Sequence, residues 1–227
     1  MSKNALGFSA RSFTLLTELA ANNNREWYLP HKVEIGEHLL DPFIAMLGSI
    51  SFQLQARDMP FQGGKKTMFR MNRDTRFSKD KTPYRTNIAG LLSPSGTRDD
   101  AEPFIYLQID RTGGFVAAGR YNLTAKALAP IRNRIVEHED RFARMEESLA
   151  KAGLALDYSM SLSSMPRGYA EHADHRFAKA IKLTSLITRR DIPKADWKSG
   201  KVIDEAVEFG MAVRPLIDFL SGLSRAD

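Results

Sequence analysis

The chain contains no cysteine. Disulfides, thiolate metal sites and a cysteine nucleophile are therefore excluded, and the absence suits a reducing compartment. No apolar run approaches the roughly 18 residues needed to span a bilayer. The N-terminal stretch MSKNALGFSARSF lacks a hydrophobic signal core, so a cytoplasmic protein without membrane association is expected. There is no Gly-x-Ser-x-Gly nucleophile elbow. Gly63-Gly64-Lys65-Lys66 lacks the upstream glycine and the Ser or Thr directly after a single Lys that a phosphate-binding loop requires. The adjacent carboxylates Glu146-Glu147 and Asp99-Asp100 do not suggest a dyad, because neighbours diverge on a helix and are solvated in a loop. No repeat or low-complexity tract occurs. No cofactor is expected, and whether the chain catalyses a reaction stays open.

What is present is ordinary globular material. With 43% hydrophobic and 26% charged residues over 227 positions, the chain can bury a sizeable core, and a single domain over 1–227 is expected. The charge, by contrast, is localised. Residues 65–85 hold Lys65, Lys66, Arg70, Arg73, Arg76, Lys79, Lys81 and Arg85 against Asp74 and Asp80, which accounts for the chain's whole net +6. A local excess points to an anionic partner or to a network of ion pairs.

The hydrophobic pattern predicts the elements. FSARSFTLLTELAANNN reads as a helix capped by Ser9, with Phe13, Leu16 and Ala20 on one face and the asparagines at 22–24 ending it in a left-handed conformation. A second helix is expected within 25–40, its start limited by Pro30. Asp41-Pro42 reads as the start of a third, striped by Phe43, Met46, Leu47, Ile50 and Leu54. TMFRMN alternates weakly. TNIAGLLS, PFIYLQID and FVAAGRY read as antiparallel strands, the last two joined at RTGG, and SPSGTRDDAEP as an exposed loop. A broken helix is expected from Thr124 to about 150, interrupted by Pro130 and EHED at 137–140. Leu154–Leu156 and IKLTSLIT (181–188) are candidate strands. KVIDEAVEFGMAVRPLIDFLSGL repeats Val202, Ala206, Phe209, Val213, Leu216 and Leu220 at helical spacing, kinked or split at Pro215. Helices, then strands, then helices predict an α+β fold, a mostly antiparallel sheet packed by N-terminal and C-terminal helices.

The segment RMNRDTRFSKDKTPYRTN (70–87) concentrates the chemistry. Arginine's planar fork suits phosphate and carboxylate, and lysine adds a point charge. Two readings compete. In one, Phe77 and Tyr84 anchor a structural knot in the core while the charges pair on the surface. In the other, the cations converge on an anion. The pattern RDTRFSKDKTPYRTN resembles the signature of domain of unknown function family 2461. That family shares a segment matched here by Phe13, Leu16, Leu19, Asn22, Asn23, Trp27, His31 and Lys32. Its second segment is matched by Arg73, Asp74, Arg76, Phe77, Ser78, Lys79, Asp80, Lys81, Pro83, Tyr84, Arg85 and Asn87, with Arg85 where Lys is common. The resemblance covers nearly the whole chain and implies no reaction, substrate or cofactor.

The expectation is an uncharacterised protein that binds a phosphorylated or carboxylated small molecule. Arg73, Arg76, Lys79, Lys81 and Arg85 would supply charge, and Ser78 with the turn amides would supply donors. Asp74 and Asp80 would orient the cations or, with His31, act as a base. Trp27 and Tyr84 are candidate stacking platforms, against a core role for Trp27. Nucleic-acid binding is an alternative, less favoured because the remaining charge is balanced and no helix-turn-helix or RNP-like pattern occurs. An acidic partner chain is another. His172 and His175, with Asp174, have a His-x-x-His spacing, but no further ligand is specified and no metal is expected. His138 reads as part of an exposed charged face.

Overall fold

Ser9 starts the first helix as its position suggests. In the computed structural model, which describes residues 7–98 and 102–222, its side chain accepts from the Ser12 amide at 3.2 Å and opens α1 (Ala10–Ala21). Phe13, Leu15, Leu16 and Leu19 are buried. Asn22 ends the helix at φ −127° rather than in the expected left-handed region. It does so by donating from both its backbone N–H and its side-chain amide to the Glu18 carbonyl.

Helix α2 (Arg25–Ile35) begins where Asn24 caps the Trp27 amide at 2.9 Å. Pro30 lies inside α2 and does not delimit it. A proline frees the carbonyl four residues earlier, here that of Glu26, an exposed residue in the first turn where water can replace the lost donor. Asp41-Pro42 does not start an independent helix either. The chain runs from α2 through a π-helical turn (Gly36–Leu40) into α3 (Asp41–Gln55). Pro42 cannot donate to the His38 carbonyl. The turn widens, the Asp41 amide reaches back to Gly36, and the buried Ser12 hydroxyl donates to the freed His38 carbonyl at 2.8 Å. Widened turns of this kind arise where the regular ladder is interrupted.

The strands are β1 (Ile88–Leu92), β2 (Phe104–Asp110), β3 (Gly113–Arg120) and β4 (Leu186–Pro193), in the order β1-β2-β3-β4 in one antiparallel sheet. Strand β2 alternates as expected: Ile105, Leu107 and Ile109 are buried and the intervening residues half-buried. Strand β1 is buried throughout. Its Gly90 is where α3 crosses, since an added Cβ would lie 2.9 Å from Leu47 and 3.0 Å from Phe43. The weakly alternating 67–72 stretch pairs irregularly, with a bridge Met68–Gly90, and upstream of it Gln62 bridges Ser93. In the expected exposed loop, Ser93 to Gly96 form a turn with Gly96 at φ +66°. The Asp99-Asp100 pair lies outside the described residues.

Thr124 caps α4 (Ala125–Glu137), again with a proline, Pro130, inside the helix. The break falls at His138, before α5 (Glu139–Lys151). Leu154–Leu156 forms no strand, and of IKLTSLIT only the end joins β4; Ala178–Ile181 is the short helix α6. After β4 come α7 (Lys194–Ser199), α8 (Val202–Ala212) and α9 (Arg214–Ser221), split just before Pro215. The architecture is α+β. No helix among the described residues is long and apolar enough to cross a membrane.

Contacts divide the chain into two compact units. One comprises Met1–Arg98, Tyr106–Val116 and Asp191–Glu208; the other comprises Asp99–Ile105, Ala117–Arg190 and Phe209–Asp227. Division points fall inside β2, β3 and β4 and, at 208/209, inside the helix Val202–Ala212. In the first unit Phe8 packs edge-on to Trp197 and Phe43, with ring centroids 5.8 and 6.4 Å away. In the second, Phe142 meets Phe177 at 4.8 Å and Phe219 at 5.3 Å, both edge-on.

Candidate functional site

The basic segment forms a two-stranded arm closed by a loop, all within the first unit. Asn72 bridges Tyr84. The Arg73 amide donates to the Pro83 carbonyl at 2.8 Å, and the Arg85 amide to the Met71 carbonyl at 2.7 Å. Residues 74–82 are the loop between these strands. The extended conformation expected of a residue before proline suits Thr82, which leads into the return strand.

Both aspartates are used to build this loop. Asp80 accepts the Thr82 amide at 2.9 Å through Oδ1. Its Oδ2 takes Arg73 Nη1 at 2.5 Å and the Thr82 hydroxyl at 3.0 Å. Arg73 also donates to the Thr82 hydroxyl and carbonyl, which locks the base of the loop. Asp74 holds Arg76 as a fork, Nε to Oδ1 at 3.0 Å and Nη2 to Oδ2 at 2.7 Å, and accepts the Arg76 amide as well. Lys81 Nζ donates to the Thr75 carbonyl at 3.0 Å and to the Arg76 carbonyl at 3.5 Å, drawing the loop into a curl.

These bonds set the acidities. The Thr82 amide, then Arg73, then the Thr82 hydroxyl hold the Asp80 carboxyl down to about 2. Hydrogen bonds from the Arg76 side chain and amide lower Asp74, and the same pair raises Arg76. Both oxygens of each carboxylate are occupied, and a carboxylate with a depressed pKa is a weak base. Because the folded pKa of Asp80 lies below the ordinary value of 3.8, its contribution is complete above that value and is lost as pH falls through about 2. A carbon-detected NMR titration should therefore place the Asp80 midpoint near 2 in the native protein. In Arg73→Ala the midpoint should rise only part of the way, because the Thr82 donors remain. A native midpoint at the ordinary value would show that the loop is not closed this way.

The loop leaves some of its donors unused. Lys79 and Arg85 are exposed and form no ion pair among the described residues. The Ser78 amide bonds the Thr75 carbonyl at 3.3 Å, but the Ser78 hydroxyl has no partner there, nor do the amides of Phe77, Lys79 and Lys81. Of the expected cations, Arg73 and Arg76 are thus tied to acids of this chain, Lys81 to carbonyls, and Lys79 and Arg85 stand free.

The aromatic residues divide differently from expectation. Tyr84 is the core anchor: it is buried, and its ring lies against Tyr28 with centroids 3.7 Å apart and planes 12° apart. It is therefore not a platform for a ligand. Burial and the neighbouring Tyr84 raise the Tyr28 phenol. Phe77 is no anchor, being 95% exposed at the loop tip. Trp27 stacks on His31, one helical turn on, at 4.0 Å. His31 Nδ1 donates to the Trp27 carbonyl at 2.7 Å, since a carbonyl can only accept, and this leaves Nε2 without a partner among the described residues.

Sequence reasoning missed how the N-terminal segment meets the basic one. The Asn23 side chain acts as a strand edge for Tyr84, accepting its amide at 3.0 Å and donating to its carbonyl at 2.8 Å. Only the amide's ability to imitate a peptide group hinted at this, and nothing local named the partner. The Asn87 Oδ1 is buried and has no hydrogen-bond partner among the described residues.

Two histidines of the second unit have protein neighbours. His172 and His175 meet edge-on at 6.0 Å. His175 Nδ1 accepts the Phe177 amide at 3.0 Å, and its Nε2 lies 3.5 Å from Glu139. Among the described residues no group of three or more His, Cys, Asp or Glu could hold a metal ion. Glu146 and Glu147 diverge, one accepting from Tyr158 and the other pairing with Lys151.

No curated protein and no solved structure matches the chain. A family model does, over residues 11–219, a span that takes in Asn23, Tyr28 and the whole 74–82 loop. The chain therefore belongs to the conserved hypothetical proteins of domain of unknown function 2461.

Proposed function

We propose that the 70–87 segment binds a small anion, phosphorylated or carboxylated, at the 74–82 loop. The observation that carries this reading is that the loop satisfies its own acids and still has donors to spare. Asp74 and Asp80 are fully engaged inside it. Lys79, the Ser78 hydroxyl and the amides of Phe77, Lys79 and Lys81 have no partner among the described residues. Free amides in a turn beside a cation can together hold an anion. Arg76 adds to it: its side chain is 77% exposed, and its Nη1 protons are not used by Asp74. Arg85 stands beside the loop on the return strand. The knot reading and the site reading then describe different parts of one segment, the knot at the base around Arg73 and the site at the tip.

The test is a titration of the protein with inorganic phosphate, pyrophosphate and citrate, followed by amide chemical shifts. Shifts should concentrate at residues 76–81. Lys79→Ala combined with Arg85→Ala should weaken binding at least about tenfold, with stability changed by no more than about 0.5 kcal/mol as for ordinary surface positions. Absence of binding by all three anions would overturn the proposal. Loss of stability without loss of binding would return the whole segment to the knot.

A further inference from the structure

We propose that the anion is a nucleotide, its phosphates taken by the loop tip and its base stacked on Phe77. This rests on the anion reading and names the ligand class. A singly exposed apolar residue is ordinary; the setting of Phe77 is not. The ring is 95% exposed, and its one aromatic or cationic neighbour among the described residues is the Arg76 guanidinium, 5.7 Å from its centroid. The backbone next to it is tied. Asp74 binds the Arg76 amide and side chain, and Lys81 donates to the carbonyls of Thr75 and Arg76. The result is an uncovered π-face on a braced loop.

The polar groups lie where a nucleotide would need them. Lys79 is two residues from Phe77, no more than about 7 Å along the chain. The amide of Phe77 itself is unpartnered, as are those of Lys79 and Lys81. A planar base needs a face to stack on, and the phosphate attached to it needs a cation and N–H donors within one sugar's reach. Base stacking on an aromatic side chain tolerates any base. A carboxylate or phosphate without a ring would use the cations and ignore Phe77. An anionic membrane would call for more than the one apolar side chain this loop offers, and an acidic protein needs charge but no planar partner. A free nucleotide and a nucleic-acid strand present the same chemistry, and the test separates them.

ATP, tripolyphosphate and a ten-nucleotide thymidine DNA are titrated into the full chain and into Phe77→Ala and Phe77→Trp. In the native protein ATP or the oligonucleotide should bind about tenfold tighter than tripolyphosphate. Phe77→Ala should erase that difference while leaving tripolyphosphate binding and the melting temperature unchanged, because the ring packs against no core residue. Phe77→Trp should keep or increase the difference. Tight ATP binding identifies a free nucleotide. Binding of the oligonucleotide alone, falling steeply with salt, identifies a strand. If tripolyphosphate equals both in the native protein, the nucleotide proposal is wrong and the anion reading survives. If none of the three binds, the nucleotide proposal falls, and with it the phosphorylated half of the anion reading. Phe77-dependent binding to phosphatidylserine vesicles without any preference for ATP or oligonucleotide would also overturn the nucleotide proposal.

Discussion

Arg132→Ala should cost roughly 4 kcal/mol of stability, because the residue is 4% exposed and its guanidinium is the donor to two interior carbonyls. Nε reaches Ile181 O at 2.7 Å and Nη2 reaches Leu183 O at 3.2 Å. The Tyr169 ring lies over the group at 5.9 Å. Burial lowers the Arg132 pKa, with the Tyr169 neighbour partly opposing the shift. Removing the side chain strands both carbonyls, each worth about 1–3 kcal/mol when buried and unpaired, and leaves a void. For a chain of this size the melting temperature should fall by about 10 °C. Arg132→Lys should recover only part of the loss, since an ammonium cannot reproduce the fork. A loss under about 1 kcal/mol would mean that water reaches those carbonyls and would refute the account.

Trp197→Ala should have a similar effect, about 4 kcal/mol, as for other fully buried aromatic truncations. The side chain is fully buried. Its Nε1 donates to Ile192 O at 3.2 Å, and Phe8 packs on it edge-on at 5.8 Å. The Phe8 amide bonds the Trp197 carbonyl at 2.9 Å, so Phe8 is tied to α7 by backbone as well as by rings. Gly114 makes room: a Cβ there would lie 2.0 Å from Gln108 O and 2.8 Å from the indole. Trp197→Phe should recover part of the packing but not the bond to Ile192. Arg132 and Trp197 belong to different compact units. The expectation of a single domain predicts that calorimetry shows one transition and that both variants lower it. Two transitions, each moved by one variant, would overturn that expectation.

Arg132 shows why part of the core could not be read from residue types. It lies in the series Leu128, Ile131, Arg132 and Ile135, all buried on α4. Spacing alone puts it on the apolar face, yet an arginine there is normally assigned to solvent. Only the carbonyls of residues 181 and 183, about fifty positions away, make its burial tolerable. Pro30 and Pro130, both inside helices, failed as boundaries for a similar reason. A proline's cost depends on whether the carbonyl it frees can find another donor. For Pro42 that donor is Ser12, on another helix.

The candidate site divides along the same line. The sequence by itself determined where the charge excess lies, the α+β succession of elements, the cap at Ser9 and the alternation of β2, because each follows from residue identity and near-neighbour spacing. It also located the motif. What it left undecided was which cations the motif keeps free. That depends on the fold of one loop: Asp74 curls onto Arg76 and Asp80 onto Arg73, while Lys79 and Arg85 are left without an acid. The tertiary structure likewise decided between the two aromatics. Tyr84 goes inward because Asn23 and Tyr28, far away in the chain, provide a backbone mimic and a ring to receive it. Phe77 has no such partner within reach of the loop tip and stays in solvent. Pairing between distant segments is settled by packing, and local sequence does not encode it.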